Sequence, residues 1–380
     1  MPIRPLAGAC AALLLAACAT APRETAPPAA PAPAPAPPAD TTFAPVAKTV
    51  PEAWESAKTP AEELDSLATW TTPDGGTWLI ASAKSMHRLV VYDAQDGREL
   101  RTVGEKGDGP GQFNRPNGVA VFGDRLFVVE RDNHRVQVLS LPSFAPIGSF
   151  GADALRSPYG LWLNETEPDE YEAYVTDSFM YGPHYDVLPK FDELDKRVHR
   201  FRVQFDQAGR LRVSDNGTFG DTAPATALRI VESIAGDPAA SRLMIADESR
   251  SDDQGHRGST LREYTFAGKP TGRSMPQGSF AAEAEGVALW SCPDGDGYWI
   301  AVDQLAPLTT FHLFERDTLA PVGSFQGKAT AYTDGIALDA TATPRFPGGA
   351  LYAVDNDVAV TAFDLRDVAA TLGLDPSCVD

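Results

Sequence analysis

The chain has few cysteines, four in 380 residues, and few cations, with 32 Lys and Arg against 52 Asp and Glu. The resulting net charge of −20 excludes nucleic acid and an anionic membrane surface as partners, because both are polyanions. Its six histidines stand at no metal-ligand spacing, which argues against a zinc or copper centre. No Ser-His-Asp pattern is present. The glycine-rich stretch Gly107-Asp108-Gly109-Pro110-Gly111 leads into no helical pattern, so it is a turn and not a phosphate loop. Helical periodicity is missing except in short connectors near 190–195 and 367–372, which excludes a helical bundle. Long hydrophobic runs are missing too. The apolar run at 7–17 is far short of the roughly 20 residues that a membrane helix needs.

That short run has a use at the N-terminus. Arg4 precedes it and Leu15-Ala16-Ala17-Cys18 ends it, the pattern of a secretory signal peptide. Small residues before a cysteine resemble the bacterial lipobox. The resemblance implies a signal peptide at 1–17, cleavage before Cys18 and lipidation of its thiol. Residues 26–39 are only Ala and Pro, which favours extended polyproline II. Residues 18–45 therefore read as a lipidated cysteine and a semi-rigid linker, and 46–380 as the folded domain. The expectation is a cell-envelope lipoprotein, with Ala19 favouring the outer membrane, facing the periplasm or the surface. The lipid would be its one contact with the membrane. With Cys18 lipidated, Cys292 and Cys378 form an even pair in an oxidising compartment. They are either a disulfide tying the tail to the fifth repeat or two buried thiols.

Internal repetition sets the fold class. One short apolar strand recurs behind a similar lead-in: Asn117-Gly118-Val119, Tyr159-Gly160-Leu161, Glu285-Gly286-Val287 and Asp334-Gly335-Ile336. Asp65-Ser66-Leu67 and Glu232-Ser233-Ile234 repeat it with Ser for Gly. A second strand follows each, as in Leu126-Phe127-Val128-Val129 and Tyr298-Trp299-Ile300-Ala301, and then a third, as in Val136-Gln137-Val138-Leu139. Asp96-Gly97 and Ala267-Gly268 supply outer hairpin turns. Six such meanders predict an all-β, six-bladed β-propeller.

Equivalent repeat positions lie at equivalent places around a propeller axis. The lead-in residues Asp65, Asn117, Tyr159, Glu232, Glu285 and Asp334 should therefore ring the mouth of the central channel. A second ring is expected from the ends of the second strands: Glu130, Asp177, Asp247, Asp303 and Asp355, with Glu248, Gln304 and Asn356 directly after three of them. Lys84 stands near the corresponding place in the first repeat. Singly, each carboxylate would cap a turn or pair with an arginine in its own blade. Four in one six-membered ring point instead to a shared cation, and oxygen donors without His or Cys suit calcium.

The motifs from 64 to 365 are similar to those of the β-propeller phytases, six-bladed calcium-dependent phosphatases acting on inositol hexakisphosphate. Glu232-Ser233-Ile234-Ala235 with Leu243-Met244-Ile245-Ala246-Asp247-Glu248 resembles one pair of family strands. Glu283-Ala284-Glu285-Gly286, Gly297-Tyr298, Gln304, Thr333-Asp334-Gly335-Ile336 and Tyr352-Ala353-Val354-Asp355 resemble others. Asp65-Ser66-Leu67-Ala68-Thr69-Trp70, Glu130-Arg131 and Pro158-Tyr159-Gly160 extend the likeness into the N-terminal half. The resemblance implies calcium ligands at Asp65, Glu232, Glu248, Glu283, Glu285, Gln304, Asp334 and Asp355. It implies phosphate contacts at Arg131 and Tyr159. The family's adjacent lysine pair is Ser85-Met86 here, with Lys84 the nearest cation.

The implied activity is calcium-dependent phosphomonoester hydrolysis of the phytase type, on phytate or a related phosphorylated compound, by a monomer. Glu232 would orient or deprotonate the attacking water, Arg131 and Tyr159 would hold phosphoryl oxygens, and Lys84 would add a substrate contact. Two other functions fit the same acidic face. One is a calcium-dependent lactonase of the gluconolactonase and paraoxonase kind. The other is a non-catalytic envelope scaffold, since Arg115-Pro116-Asn117-Gly118 and Asp132-Asn133-His134-Arg135-Val136 look like binding-type propeller repeats.

Overall fold

A computed structural model describes residues 46–251 and 255–379. The signal peptide, Cys18 and the linker expected at 1–45 lie outside the described residues.

Short apolar strands with near-continuous burial, such as Thr77–Ala83 and Arg125–Glu130, are covered on both faces by neighbouring sheets. They assemble into six antiparallel meanders. The innermost strands, in chain order, are Leu64–Thr71, Pro116–Phe122, Pro158–Glu167, Val231–Asp237, Ala284–Ser291 and Ile336–Asp339. Each lies against the next, and the last lies against the first. The fold is the six-bladed β-propeller that the repeat predicts.

The apolar core is divided among the seams. Six buried clusters among the described residues each join two adjacent blades, such as Phe127 and Val138 of blade two with Leu163 and Phe201 of blade three. A blade therefore depends on both its neighbours for burial, which favours a closed ring.

Closure uses a segment whose repeat pattern is silent. Blade six has three strands of its own, and Trp54–Glu55 from the N-terminal side pairs antiparallel with Ala359–Asp364 as its outermost strand. Lys48–Thr49 adds a parallel fifth strand to blade five. Between them, the Glu52 carboxylate accepts the backbone N–H groups of Lys328, Ala329 and Thr330 at 2.9–3.0 Å. At the other terminus Cys292 and Cys378 form a disulfide, Cα to Cα 4.5 Å, which holds the turn Pro376–Cys378 against blade five.

The repeated glycines have a steric cause. Near the axis the inner strands are so close that a Cβ on Gly160 would stand 2.2 Å from the Glu232 carbonyl oxygen, and one on Gly335 would stand 2.4 Å from that of Asp65. The neighbours are also stitched together. Gly286 donates its N–H to Asp334 O and Gly335 donates to Asp65 O, both at 2.9 Å. The lead-in side chains are thereby fixed by the backbone of the next blade.

Candidate functional site

Asp65, Tyr159, Glu232, Glu285 and Asp334 line one depression on the axis, together with Ser66, Gly160, Ser233 and Gly335. The sixth lead-in residue, Asn117, is fully buried, with no hydrogen-bond partner on its amide.

The second expected ring is not a ligand ring, which corrects the reading of one crowded carboxylate cluster. Its members turn away from the mouth and hold the loop that leads into their own blade. Asp177 accepts the N–H groups of Arg156 and Ser157, and Asp303 those of Ala281 and Ala282, all at 2.8 Å. Asp247 accepts from Ile230 at 3.1 Å, and Glu130 from Asn114 at 3.1 Å. Asp355 behaves likewise: its Oδ1 accepts Ala331 N–H at 3.0 Å and its Oδ2 faces Lys58 at 3.9 Å. Asp355 is therefore a loop cap, set apart from the residues on the axis.

The next residue along the chain has a different role. Lys84, Arg131, Ser178, Glu248 and Gln304 each donate the backbone N–H to the carbonyl two positions before their blade's lead-in residue, and of these Lys84, Arg131, Glu248 and Gln304 reach lead-in side chains. This shared bond places them in one register, which in blades two to five is one residue beyond the cap. Side chains one residue apart on an extended chain point to opposite sides, so the cap faces the loop and its successor faces the axis.

Three carboxylates converge there. Glu232, Glu248 and Glu285 each present an oxygen, and these oxygens lie within 4.8 Å of one another. Glu248 Oε1 is buried without a hydrogen-bond partner. At that separation a pair of full charges repels by about 3 kcal/mol at an effective dielectric near 20. Burial first, and the neighbouring carboxylates second, push the pKa of all three well above the ordinary glutamate range. The donors are all oxygen, which fits a hard divalent cation such as calcium.

The rest of the mouth has other partners. Lys84 is nine-tenths buried, with Nζ 3.2 Å from both Asp65 Oδ1 and Asp334 Oδ2 and 3.9 Å from Glu63. Burial opposes its charge, but Asp65 and Asp334 outweigh that and hold its pKa above the usual lysine value. Gln304 Nε2 donates to Asp334 Oδ1. Glu283 stands at the rim and faces Arg250 at 3.6 Å. Arg131 Nε donates to Asp132 Oδ1 at 2.7 Å, and its guanidinium lies beside the Tyr159 hydroxyl. Burial, then Glu232, raises the Tyr159 pKa.

Two contributors escaped the sequence reading. Arg115 pairs with Glu63 at 3.0 Å and is close enough to Glu232 to oppose the rise in its pKa. Asp357 adds negative charge beside Lys84 and Asp65. Arg115 precedes the Pro116-Asn117-Gly118 lead-in, and that neighbourhood was its one signal. The cations of the mouth, Arg115, Arg131 and Lys84, thus come from blades one and two, where Glu63, Asp65 and Asp334 contact two of them, while Glu232, Glu248 and Glu285 come from blades four and five.

The NHL repeat family matches residues 113–139, the first two strands of blade two and most of its third. No curated protein sequence matches the chain. Among solved structures it is similar in fold to the hydrazine synthase of Kuenenia stuttgartiensis, with TM-score 0.46 and 14% identity over 85% of this chain and 83% of that one. Regucalcin, a calcium-binding protein from Agrobacterium tumefaciens, gives 0.49 and 9% over 84% and 97%. Virginiamycin B lyase from Staphylococcus aureus, solved with Quinupristin, gives 0.44 and 10% over 82% and 88%.

Proposed function

We propose that this propeller is a calcium-dependent phosphomonoester hydrolase of the phytase type, acting on phytate or a related phosphorylated compound. The observation that carries the reading is the convergence of Glu232, Glu248 and Glu285 within 4.8 Å, opposite the cationic Arg131 and its neighbour Tyr159.

Glu232, Glu248 and Glu285 are the residues that would hold the cation. When bound, it would relieve their repulsion and stabilise negative charge on the phosphoryl oxygens. Arg131 and Tyr159 donate hydrogen bonds to non-bridging oxygens. Glu232 stands where it can take the proton of the attacking water. The water oxygen bonds to phosphorus as the ester P–O bond breaks, and that bond's electron pair leaves with the alcohol oxygen. The proton then passes to the alcohol. Arg115 and Lys84 offset part of the negative charge on the far side of the mouth, where Glu63, Asp65 and Asp334 contact them.

An exported lipoprotein fits this reading, because the Ala/Pro linker would hold the mouth clear of the membrane and open to substrate in the periplasm or outside the cell. The test is a substrate panel of phytate, a simple phosphomonoester and a lactone, each with calcium and with chelator. Calcium-dependent phosphate release is the expected result. Lactone hydrolysis without phosphate release would replace the phosphatase reading, and inactivity on all three would favour a binding propeller.

A further inference from the structure

The carboxylates of the mouth fall into two groups with opposite needs. Glu232, Glu248 and Glu285 present oxygens to one another, and among the described residues none of the three is in an ion pair; Lys84 and Arg115 reach only Glu232, and from beyond contact, while Glu248 Oε1 has no hydrogen-bond partner. Asp65 and Asp334 each contact a protein cation. Asp334 uses Oδ1 on Gln304 and Oδ2 on Lys84, and Asp65 uses Oδ1 on Lys84. Glu63 and Asp357 add negative charge around the same ammonium.

We infer that Lys84 is a resident cation for the blade-one side of the mouth, standing where a second metal ion would otherwise be required. The site then takes a single divalent cation, on Glu232, Glu248 and Glu285. Asp65 and Asp334 serve as the seat of the ammonium and not as metal ligands. This rests on the metal-site reading above and narrows it.

The physical ground is that an ammonium and a hydrated cation compete for the same oxygens. Lys84 is covalently tethered and nine-tenths buried, so its local concentration is far above that of any dissolved ion. Its three N–H donors suit the three carboxylates within 4 Å, Asp65, Asp334 and Glu63. Bringing a doubly charged ion within contact of the same carboxylates would set it against the ammonium at close range, where charge repulsion is strongest. Among the described residues no ammonium or guanidinium is in ion-pair contact with Glu232, Glu248 or Glu285, so their mutual repulsion is left for an ion from solution to relieve. A further consequence is that the Lys84 charge is held by Asp65 and Asp334, which leaves Arg131 as the mouth's more available cation for substrate.

The experiment counts calcium on the whole domain by equilibrium dialysis of chelator-stripped protein, in wild type, Lys84→Met and Lys84→Arg. Lys84→Met is expected to bind one calcium more than wild type, and Lys84→Arg the wild-type number. An unchanged count in Lys84→Met overturns the inference, whatever the wild-type count. Should Lys84→Met fail to fold, two milder variants decide. Glu285→Gln is expected to weaken calcium binding by about tenfold or more, and Asp65→Asn by much less. Equal losses would make Asp65 a ligand and end the inference. Phosphate release is measured separately, so an inactive protein that shows the extra calcium in Lys84→Met removes the phosphatase reading and leaves Lys84 in its role.

Discussion

The backbone of Gly160 lies so close to that of Glu232 that a Cβ on Gly160 would come 2.2 Å from the Glu232 carbonyl oxygen. That same oxygen accepts the Thr176 hydroxyl at 2.7 Å, and Thr176 in turn accepts the Gly160 N–H. The seam between blades three and four and the position of Glu232 at the mouth are thus one feature.

Gly160→Ala should therefore damage both. The backbone oxygen cannot swing aside as a side chain can, so the inner strands must separate, at a cost of about 1–3 kcal/mol. The midpoint of thermal unfolding should fall, and calcium should protect the variant less than it protects wild type. A melting curve superimposable on wild type, with full calcium protection, would contradict the steric account.

Glu232→Gln separates chemistry from architecture. It keeps the shape of the side chain but removes a charge from the carboxylate cluster and the acceptor for the water proton. Turnover should drop about a hundredfold or more while the protein stays folded by circular dichroism. Arg131→Ala should raise KM more than it lowers kcat, because its hydrogen bonds to phosphate are made in ground and transition states alike. Full turnover in Glu232→Gln would remove that residue from the reaction.

The pH dependence of stability follows from the raised carboxyl groups. Glu232, Glu248, Glu285 and Asp334 hold their protons more tightly folded than unfolded. Their contribution is complete below the ordinary carboxyl pKa and is lost as pH rises through the raised values. In the presence of chelator the protein should melt lower at pH 8 than near pH 5.5. Calcium binds the ionised form, so it should raise melting most at the higher pH. Glu248→Gln should flatten the slope. A chelator-treated wild type whose melting is flat across this window, or rises with pH, counts against the buried cluster.

The fold was legible because a propeller is periodic. Leu126-Phe127-Val128-Val129 and its five counterparts report burial on both faces without knowledge of any distant residue. The lead-in positions were legible for the same reason, and five of the six meet in one depression. The closing strand Trp54–Glu55 was not legible. It is two residues long and is made a strand by its pairing with Ala359–Asp364, some 300 residues away.

What the sequence by itself determined is the repeat, and with it the number of blades, the strand order and the circle of residues facing the axis. Only the tertiary structure decided which carboxylates are caps and which are left to one another. Asp247 and Glu248 are adjacent acids and look equivalent in sequence. One accepts backbone N–H groups from its own loop, and the other presents an oxygen to Glu232 and Glu285. Extended backbone sends neighbouring side chains to opposite sides, so a single residue of register separates a loop cap from a candidate ligand. Lys84 was settled in the same way. Its partners Asp65 and Asp334 are 19 and 250 residues away in the chain, and closing the ring brings the last blade's aspartate to the first blade's lysine.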